Sequence, residues 1–328
     1  MSDYSGRSRA VKSTQRRRSR AHRFLRFLVI IGALASATLM AFHDRVPDFL
    51  GLGLLLDNAA PWMGLAVPAL LLLALASRSR TSLVVLLIPI LTWLFIFGPA
   101  IVPLSWSAPQ AGAATLTLSS QNIKAGTGGA VQSALELADD GSDVIALQEL
   151  DAGSAQRVST ALEDAYPHHF VVGTVGVWSK YPLTNSQPLE LGLGWKRALS
   201  TQVDTDSGSL RLYVIHAASA RPNDHVDRDE MLRQLAAVVQ ADPEESIIAV
   251  GDFNATSTDR AFKRISSILD EPNPDVGLLG FTWPRSPFPM MRLDHVLVRG
   301  LEVTSNTNVE AGPSDHLAVQ TVLNLPGQ

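Results

Sequence analysis

Hydrophobic positions follow two unlike patterns that change near residue 110. Before it, three apolar stretches run almost unbroken at 24–42, 59–77 and 81–104. Each is close to the ~20 residues needed to cross a ~30 Å hydrocarbon layer. Pro61, Pro68, Pro89 and Pro99 sit in or beside the last two, a placement that membrane helices tolerate when neighbours re-satisfy the freed carbonyls. Residues 24–104 therefore read as three transmembrane helices. Residues 105–114, built from Ser, Trp, Ala, Pro, Gln and Gly, read as a linker.

Beyond the linker the apolar runs are short, alternating or wholly apolar, and bounded by turn residues. They predict strands at 115–123, 143–150, 169–173, 199–204, 210–217, 246–251, 292–298 and 316–323. Asp206-Ser207-Gly208-Ser209 predicts a turn, and residues 199–217 a hairpin. Helical patterns interleave at 130–138, 154–166, 227–239 and 259–269, with Ser154 and Asp259 as expected N-caps. Residues 115–328 thus read as one α/β domain, large enough for a substantial core.

Composition sharpens this division. Hydrophobic residues make up 46% of the chain and aromatics only 6%, so the excess is aliphatic, as lipid-facing helices require. The absence of cysteine excludes disulfides, thiolate metal sites, iron–sulfur clusters and thiol nucleophiles. Any metal must sit on oxygen or imidazole. The formal charge of −4 averages two opposites: residues 1–110 carry 12 basic and 4 acidic side chains, and the remainder carries 15 and 27.

That asymmetry orients the chain. Arg7, Arg9, Lys12, Arg16, Arg17, Arg18, Arg20, Arg23 and Arg26 form a basic head whose residues 1–23 are expected to be disordered. The positive-inside rule places it in the cytoplasm. Asp44, Asp48 and Asp57 then fall outside, Arg78 and Arg80 inside, and residues 115–328 outside, in a multi-pass protein of the cell membrane. A cleaved signal peptide is disfavoured because two more spans follow the first.

Polar residues cluster where the predicted strands stop. Asn122 follows Leu116–Ser120, Glu149 ends Val144-Ile145-Ala146-Leu147, and His216 ends Leu212-Tyr213-Val214-Ile215. Asp252 and Asn254 end Ile247-Ile248-Ala249-Val250, Asp294 lies in Arg-Leu-Asp-His-Val, and Asp315-His316 opens the last strand. An Asp, Glu or His at the end of an apolar strand costs desolvation unless it is paired or binds a metal. Taken singly, each has a bland reading as a turn residue, solvated terminus or structural imidazole; together they predict one rim.

The ordered set Ser120–Ile123, Asp143–Glu149, Ser179–Leu183, Val214–His216, Gly251–Asn254, Thr282–Pro284, Leu293–Val296 and Ser314–His316 resembles the endonuclease/exonuclease/phosphatase superfamily. Its members hydrolyse phosphate esters with Mg²⁺. The resemblance covers nearly all of 115–325 and implies two packed mixed β-sheets flanked by helices, a four-layer sandwich. Within it, Glu149 and Asn122 offer hard oxygen ligands suited to Mg²⁺, with Mn²⁺ as an alternative. The resemblance implies that Asp252 activates the attacking water and that Asn254 holds it or donates to the phosphoryl group. His216 and His316, in protonated form, are expected to contact phosphate, and Asp294 to orient His316. Asp315 is expected to be a second metal contact or an orienting group. Two positions depart from the family pattern: Lys124 stands where nuclease members often carry an acidic ligand, and His216-Ala217-Ala218 replaces the commoner Thr-His-Leu.

Charge then bears on the substrate. DNA binders profit from Lys and Arg that displace counterions, whereas residues 111–328 are net acidic, which disfavours nucleic acid. Lys196, Arg197, Arg221, Arg285 and Arg292 are a local basic set able to hold a small anionic head group. A tethered domain meets lipid-borne substrates at high effective concentration. The expected function is a membrane-anchored Mg²⁺-dependent phosphoesterase for a phosphate or pyrophosphate ester, of a lipid or of the cell envelope, with the bilayer as partner. The alternatives are an extracellular endonuclease and a non-catalytic sensor or scaffold. The layout of three spans and an outward domain is similar to actinobacterial superfamily members linked to teicoplanin-type glycopeptide resistance.

Overall fold

The computed structural model describes residues 4–112, 114–275 and 278–325, and the chain separates into two compact units. The first comprises residues 1–48 and 55–99. Its helices are α1 (Tyr4–Phe42), α2 (Leu52–Ala59), α3 (Ala66–Ser77), α4 (Arg80–Val85) and α5 (Leu87–Ile101). They supply three stretches long and apolar enough to cross a membrane: Ser19–Arg45, Leu52–Ser77 and Arg80–Ile101. Small residues let these helices approach, with Val29, Ala33, Ala74 and Leu86 buried among them. The Trp93 indole donates to the Pro61 carbonyl at 2.8 Å, one of the proline-region acceptors that needs a partner away from water.

Two boundaries differ from the sequence reading. Helix α1 continues back to Tyr4 through the head expected to be disordered, because Arg, Lys, Gln and Ala are good helix formers that extend an already nucleated helix. The second span begins at Leu52 rather than 59. Asp57 therefore lies inside α2 rather than in the loop, fully buried, and its Oδ1 is 2.7 Å from His43 Nδ1. A buried carboxylate needs such a partner.

The second unit comprises residues 49–54 and 100–328. One sheet has the order β10-β11-β1-β2-β4-β3 and the other β5-β6-β7-β8-β9. The strands of the first are β1 (Thr115–Asn122), β2 (Val144–Gln148), β3 (His168–Val172), β4 (Val175–Ser179), β10 (Glu302–Val309) and β11 (Ala318–Asn324). The second holds β5 (Leu183–Pro188), β6 (Ala198–Thr205), β7 (Gly208–His216), β8 (Ile247–Asp252) and β9 (Asp294–Arg299). Alternation along each strand decides what lies where. Leu116, Leu118, Val144 and Ala146 meet Leu212, Val214, Ile248 and Val250 between the sheets. Their neighbours Ile145 and Leu147 face outward onto α6 (Ala130–Asp139) and α7 (Ala152–Leu162). Tyr213, Ile215 and Ala249 face α8 (Val226–Ala241) and α9 (Lys263–Ser266). The result is the expected four-layer arrangement of two mixed sheets flanked by helices.

Three strands went unpredicted. β5 and β10 are edge strands reading Leu-Thr-Asn-Ser-Gln-Pro and Glu-Val-Thr-Ser-Asn-Thr-Asn-Val, and edge strands carry polar residues that discourage further pairing. β4 follows β3 after only Gly173 and Thr174, so the hairpin hides as one run. Asp151, not Ser154, caps α7, with Ser154 at the third helical position completing a capping box. The expected helix 259–269 shrinks to α9, and the Asp259 carboxylate pairs with Arg228 at 2.8 Å.

Topology gathers the strand ends. β1 and β2 run parallel while β11 runs antiparallel to β1; β7 and β8 run parallel while β9 opposes β8. The C-terminal ends of four strands and the N-terminal ends of β9 and β11 thus share one edge of the domain. At Gly251, φ +134°, β8 leaves no room for a side chain against β7: a Cβ there would lie 2.0 Å from the Ile215 carbonyl oxygen. Gly251→Ala is therefore expected to cost about 1–3 kcal/mol in backbone strain alone, read as a lowered denaturation midpoint by urea titration.

Candidate active site

The shared edge holds the residues singled out in the sequence. Asn122 ends β1, Glu149 follows β2, His216 ends β7, Asp252 ends β8 and Asp294 opens β9, with His316 two residues before β11. The registers His216↔Asp252 and Asp252↔Asp294 place three of them on adjacent strands. Asn122 Nδ2 donates to Asp252 Oδ2 at 2.9 Å and to Glu149 Oε1 at 3.0 Å, joining the two sheets. Glu149 and Asn254 adopt φ of +61° and +48°, the left-handed conformation that a non-glycine residue rarely takes outside constrained functional positions. Glu149 is fixed there by the Ala125 amide, which donates to Oε2 at 2.8 Å. Asn254 is fixed by its own amide donating to Asp252 Oδ1 at 2.8 Å and its Nδ2 donating to the Ala217 carbonyl at 3.0 Å.

The charges are arranged unequally. Burial alone would lower the pKa of His316, but the Asp294 carboxylate, 2.8 Å from Nδ1, with Asp252 and Asp315 behind it, carries it up to about 9. His316 is therefore an imidazolium at neutral pH. Asp252 is pushed up to about 6 by burial and by the neighbouring Asp294. His216 goes the other way, down to about 3, through burial and the adjacent Arg197 guanidinium and His316. The electrostatics thus favour the charged form of His316 and the neutral form of His216. Arg197 supplies the second positive charge, with Nη2 2.6 Å from His216 Nε2 and its guanidinium 4.5 Å from the Trp195 ring centroid.

Asp315 has a cationic partner of its own. Its carboxylate pairs with Lys124 Nζ at 3.2 Å. Arg285 is drawn to Glu310 and the Gly312 carbonyl, and Arg292 to Glu271. Of the local basic set, Arg197 alone is placed against the histidine of the rim.

Two supports were not evident from sequence. Arg228 of α8 is almost wholly buried; it donates to the Asn254 carbonyl at 2.5 Å and pairs with Asp259, so a guanidinium beneath the rim holds the strained turn. Glu271 receives His295 Nδ1 at 2.6 Å and Arg292 Nε at 3.1 Å, while His295 Nε2 lies 2.8 Å from the Ala255 carbonyl. Burial would raise the Glu271 pKa, yet Arg292 and His295 hold it at about 2. A depressed folded-state pKa contributes stability above the unfolded value, near 4.5, and loses it as pH falls toward 2. Glu271→Gln is expected to cost about 2–4 kcal/mol at pH 7 and to flatten the acid limb of a pH–stability curve.

The chemistry of the donors tests a divalent ion against this site. Asp252, Asp294 and His316 bring ligand atoms within 4.8 Å of one another, and Asp294 Oδ1 is buried without a hydrogen-bond partner. An imidazolium that spends Nδ1 on a carboxylate is a proton donor rather than a metal ligand. Glu149, part-exposed beside Asn122, offers the accessible carboxylate of the rim. A hard cation held by one or two carboxylates and waters fits these donors.

The family model described as Endonuclease/Exonuclease/phosphatase family matches residues 120–316. The chain belongs to the Endonuclease/Exonuclease/phosphatase family. It is a hydrolase of phosphoric ester bonds in a divalent-metal-dependent family. No match is found among curated protein sequences. Among solved structures, similar ones include sphingomyelinase C from Streptomyces griseocarneus, 19% identical over 64% of this chain and 99% of that one, with a TM-score of 0.52. TDP2 of D. rerio complexed with a single-strand DNA product is 18% identical over 64% and 99%, with a TM-score of 0.55. A mannosyl-6-phosphatase of Bacteroides thetaiotaomicron is 16% identical over 63% and 99%, with a TM-score of 0.51. At these identities the likeness is one of fold.

Proposed function

We propose that this family member is a multi-pass membrane phosphoesterase whose domain, outside the cytoplasm, hydrolyses a phosphate or pyrophosphate ester of a lipid or cell-envelope substrate. The observation that carries the chemistry is the Asp294–His316 pair at 2.8 Å beside Asp252, a charged donor and a carboxylate with a raised pKa on one rim. Glu149, with Asn122 beside it, would hold Mg²⁺ or Mn²⁺. The ion would neutralise non-bridging phosphate oxygens and help lower the pKa of water. Asp252 takes the proton of the attacking water, and Asn254, whose Nδ2 is spent on the Ala217 carbonyl and Asp252 Oδ2, orients it by accepting through Oδ1. His316 donates to the phosphoryl oxygens as charge builds, while Arg197 compensates charge on the His216 side. Asp294 keeps His316 protonated and aimed. Asp315, held by Lys124, serves as neighbouring negative charge for His316 rather than as a ligand.

The substrate class is supported by charge and tether. The acidic domain gives little to a polyanion, and three helices able to cross a membrane precede it. Orientation is supported by the arginines at 78 and 80 and by the basic head, which fall on one side of the three-span layout. Full-length protein in detergent is expected to release phosphate or a phosphomonoester from a phospholipid only with Mg²⁺ or Mn²⁺, and to lose at least about 100-fold in rate with EDTA. Robust nicking of plasmid at physiological salt, with no lipid hydrolysis, would establish the nuclease reading instead.

A further inference from the structure

Three arginines are almost wholly buried among the described residues: Arg197, Arg228 and Arg292, exposed by 8%, 1% and 7%. Arginine is seldom buried without a partner, because taking a guanidinium out of water costs more than packing returns. Two of the three have carboxylates. Arg228 lies 2.8 Å from Asp259 and Arg292 3.1 Å from Glu271. Among the described residues Arg197 forms no ion pair. Its guanidinium meets only the His216 imidazole, with Nη2 2.6 Å from Nε2, and the Trp195 ring, 4.5 Å from the centroid, while its Nε is buried with no hydrogen-bond partner.

Neither neighbour neutralises it. With a pKa held down to about 3, His216 is an uncharged imidazole at neutral pH, able to accept from a guanidinium but not to offset its charge. The Trp195 face adds a cation–π attraction, which is weak where the indole is exposed. The Asp252 and Glu149 carboxylates act only through space, and burial outweighs them, holding the Arg197 pKa below the usual guanidinium range. A buried cation in this state lacks a negative charge at contact distance.

Both sheets hold the guanidinium in place. Arg197 stands one residue before β6 and continues its ladder with β7, its carbonyl accepting from the His216 amide at 2.9 Å. On the other flank the turn between β3 and β4 packs onto Lys196: at Gly173, φ +57°, a Cβ would fall 1.9 Å from the Lys196 carbonyl oxygen. The Thr174 hydroxyl, next in that turn, lies 3.2 Å from His216 Nδ1. The strand order β6-β7-β8-β9 then sets Arg197, His216, Asp252 and Asp294 in a row along the rim. The guanidinium therefore stands across Asp252 from Asp294, the partner of His316.

We infer that Arg197 is a substrate-binding residue: its guanidinium takes a non-bridging oxygen of the phosphoryl group on the side opposite His316, and neutral His216 is the positioning residue that aims it. This rests on the phosphoesterase reading of the rim, and it gives the two histidines different work. His316 carries a proton to the phosphoryl group, whereas His216 carries none and serves the arginine. Two fixed cations then flank the phosphoryl group, matching charge that spreads over its equatorial oxygens. The desolvated guanidinium weakens the unliganded fold and is offset once the anion arrives.

Stability and binding together separate such a residue from a structural arginine. Full-length Arg197→Met protein in detergent is compared with the unaltered protein and with Arg228→Met, with Mg²⁺ present throughout. Binding of inorganic phosphate is read by isothermal titration calorimetry against chloride at equal ionic strength, and folding by the urea midpoint. Arg197→Met is expected to weaken phosphate binding about 10–100-fold, the worth of hydrogen bonds to a charged group, and to leave the phosphate-free midpoint unchanged or raised. Arg228→Met, which breaks a buried ion pair, is expected to lower it. A midpoint lowered in Arg197→Met as in Arg228→Met, or a phosphate affinity within about twofold of the unaltered protein, would overturn the inference. So would an unaltered protein that binds no phosphate. His216→Gln, which keeps an acceptor beside the guanidinium, is expected to bind phosphate more tightly than His216→Leu, and equal binding by the two would overturn the role given to His216. Phosphate binding as expected, without hydrolysis of any ester, would support the anion site and remove the proposed activity.

Discussion

His316→Ala is expected to lower turnover by about 10²–10⁴-fold while leaving the domain folded, the range that a positioned acid–base group contributes. The reason is electrostatic. His316 is buried, faces Asp294 at 2.8 Å and stays protonated to about pH 9, so it is the fixed positive donor of the rim. Alanine removes that charge and leaves Asp294, already carrying one buried unpartnered oxygen, without its cation. The pH profile of the unaltered enzyme distinguishes this from a packing defect. Asp252 must be deprotonated to accept a proton, and its raised pKa places the rising limb of kcat/KM near 6. His316 must be protonated to donate, which places the falling limb near 9. Asp294→Asn removes the charge that supports the imidazolium and is expected to move the falling limb toward neutrality. Measured on a soluble phosphodiester at saturating Mg²⁺, a profile without a limb near 9, or an alanine variant of undiminished turnover, would sink the assignment.

What was legible in the sequence follows a physical line. Buried strands announce themselves because both faces are apolar, so β2, β7 and β8 were found, with the polar residues at their ends. The polar edge strands β5 and β10 were not, since neither face is continuously apolar. The rim was legible as types of residue but not as charges. His216 and His316 look alike in sequence. Their opposite protonation comes from Arg197 beside one and Asp294 beside the other, neighbours set by strand register. Asp315 adjoins His316 in sequence, but its pairing with Lys124 at 3.2 Å is set by the fold and could not be read from the chain. Asp57 was read as a loop residue because charge usually marks loops, whereas His43 makes it tolerable within a helix.

Arg228 illustrates what patterning conceals. Arginine is a residue type that is almost always exposed, yet Arg228 in α8 is only 1% exposed. Its guanidinium is held by Asp259 at 2.8 Å and donates to the Asn254 carbonyl at 2.5 Å. Arg228→Met is expected to cost about 3–5 kcal/mol, because truncating one partner of a buried pair strands the other. The same change releases the Asn254 turn, whose φ of +48° has to be held, so kcat should fall with little change in KM. Removing both partners tests the origin of the loss. In an Arg228→Met background, Asp259→Asn should restore part of the stability, since the stranded charge is gone. It should not restore kcat, because the Asn254 carbonyl still lacks its donor. Urea denaturation and steady-state kinetics on the four members of the cycle separate the two effects. Recovery of both together would show that Arg228 serves only the ion pair.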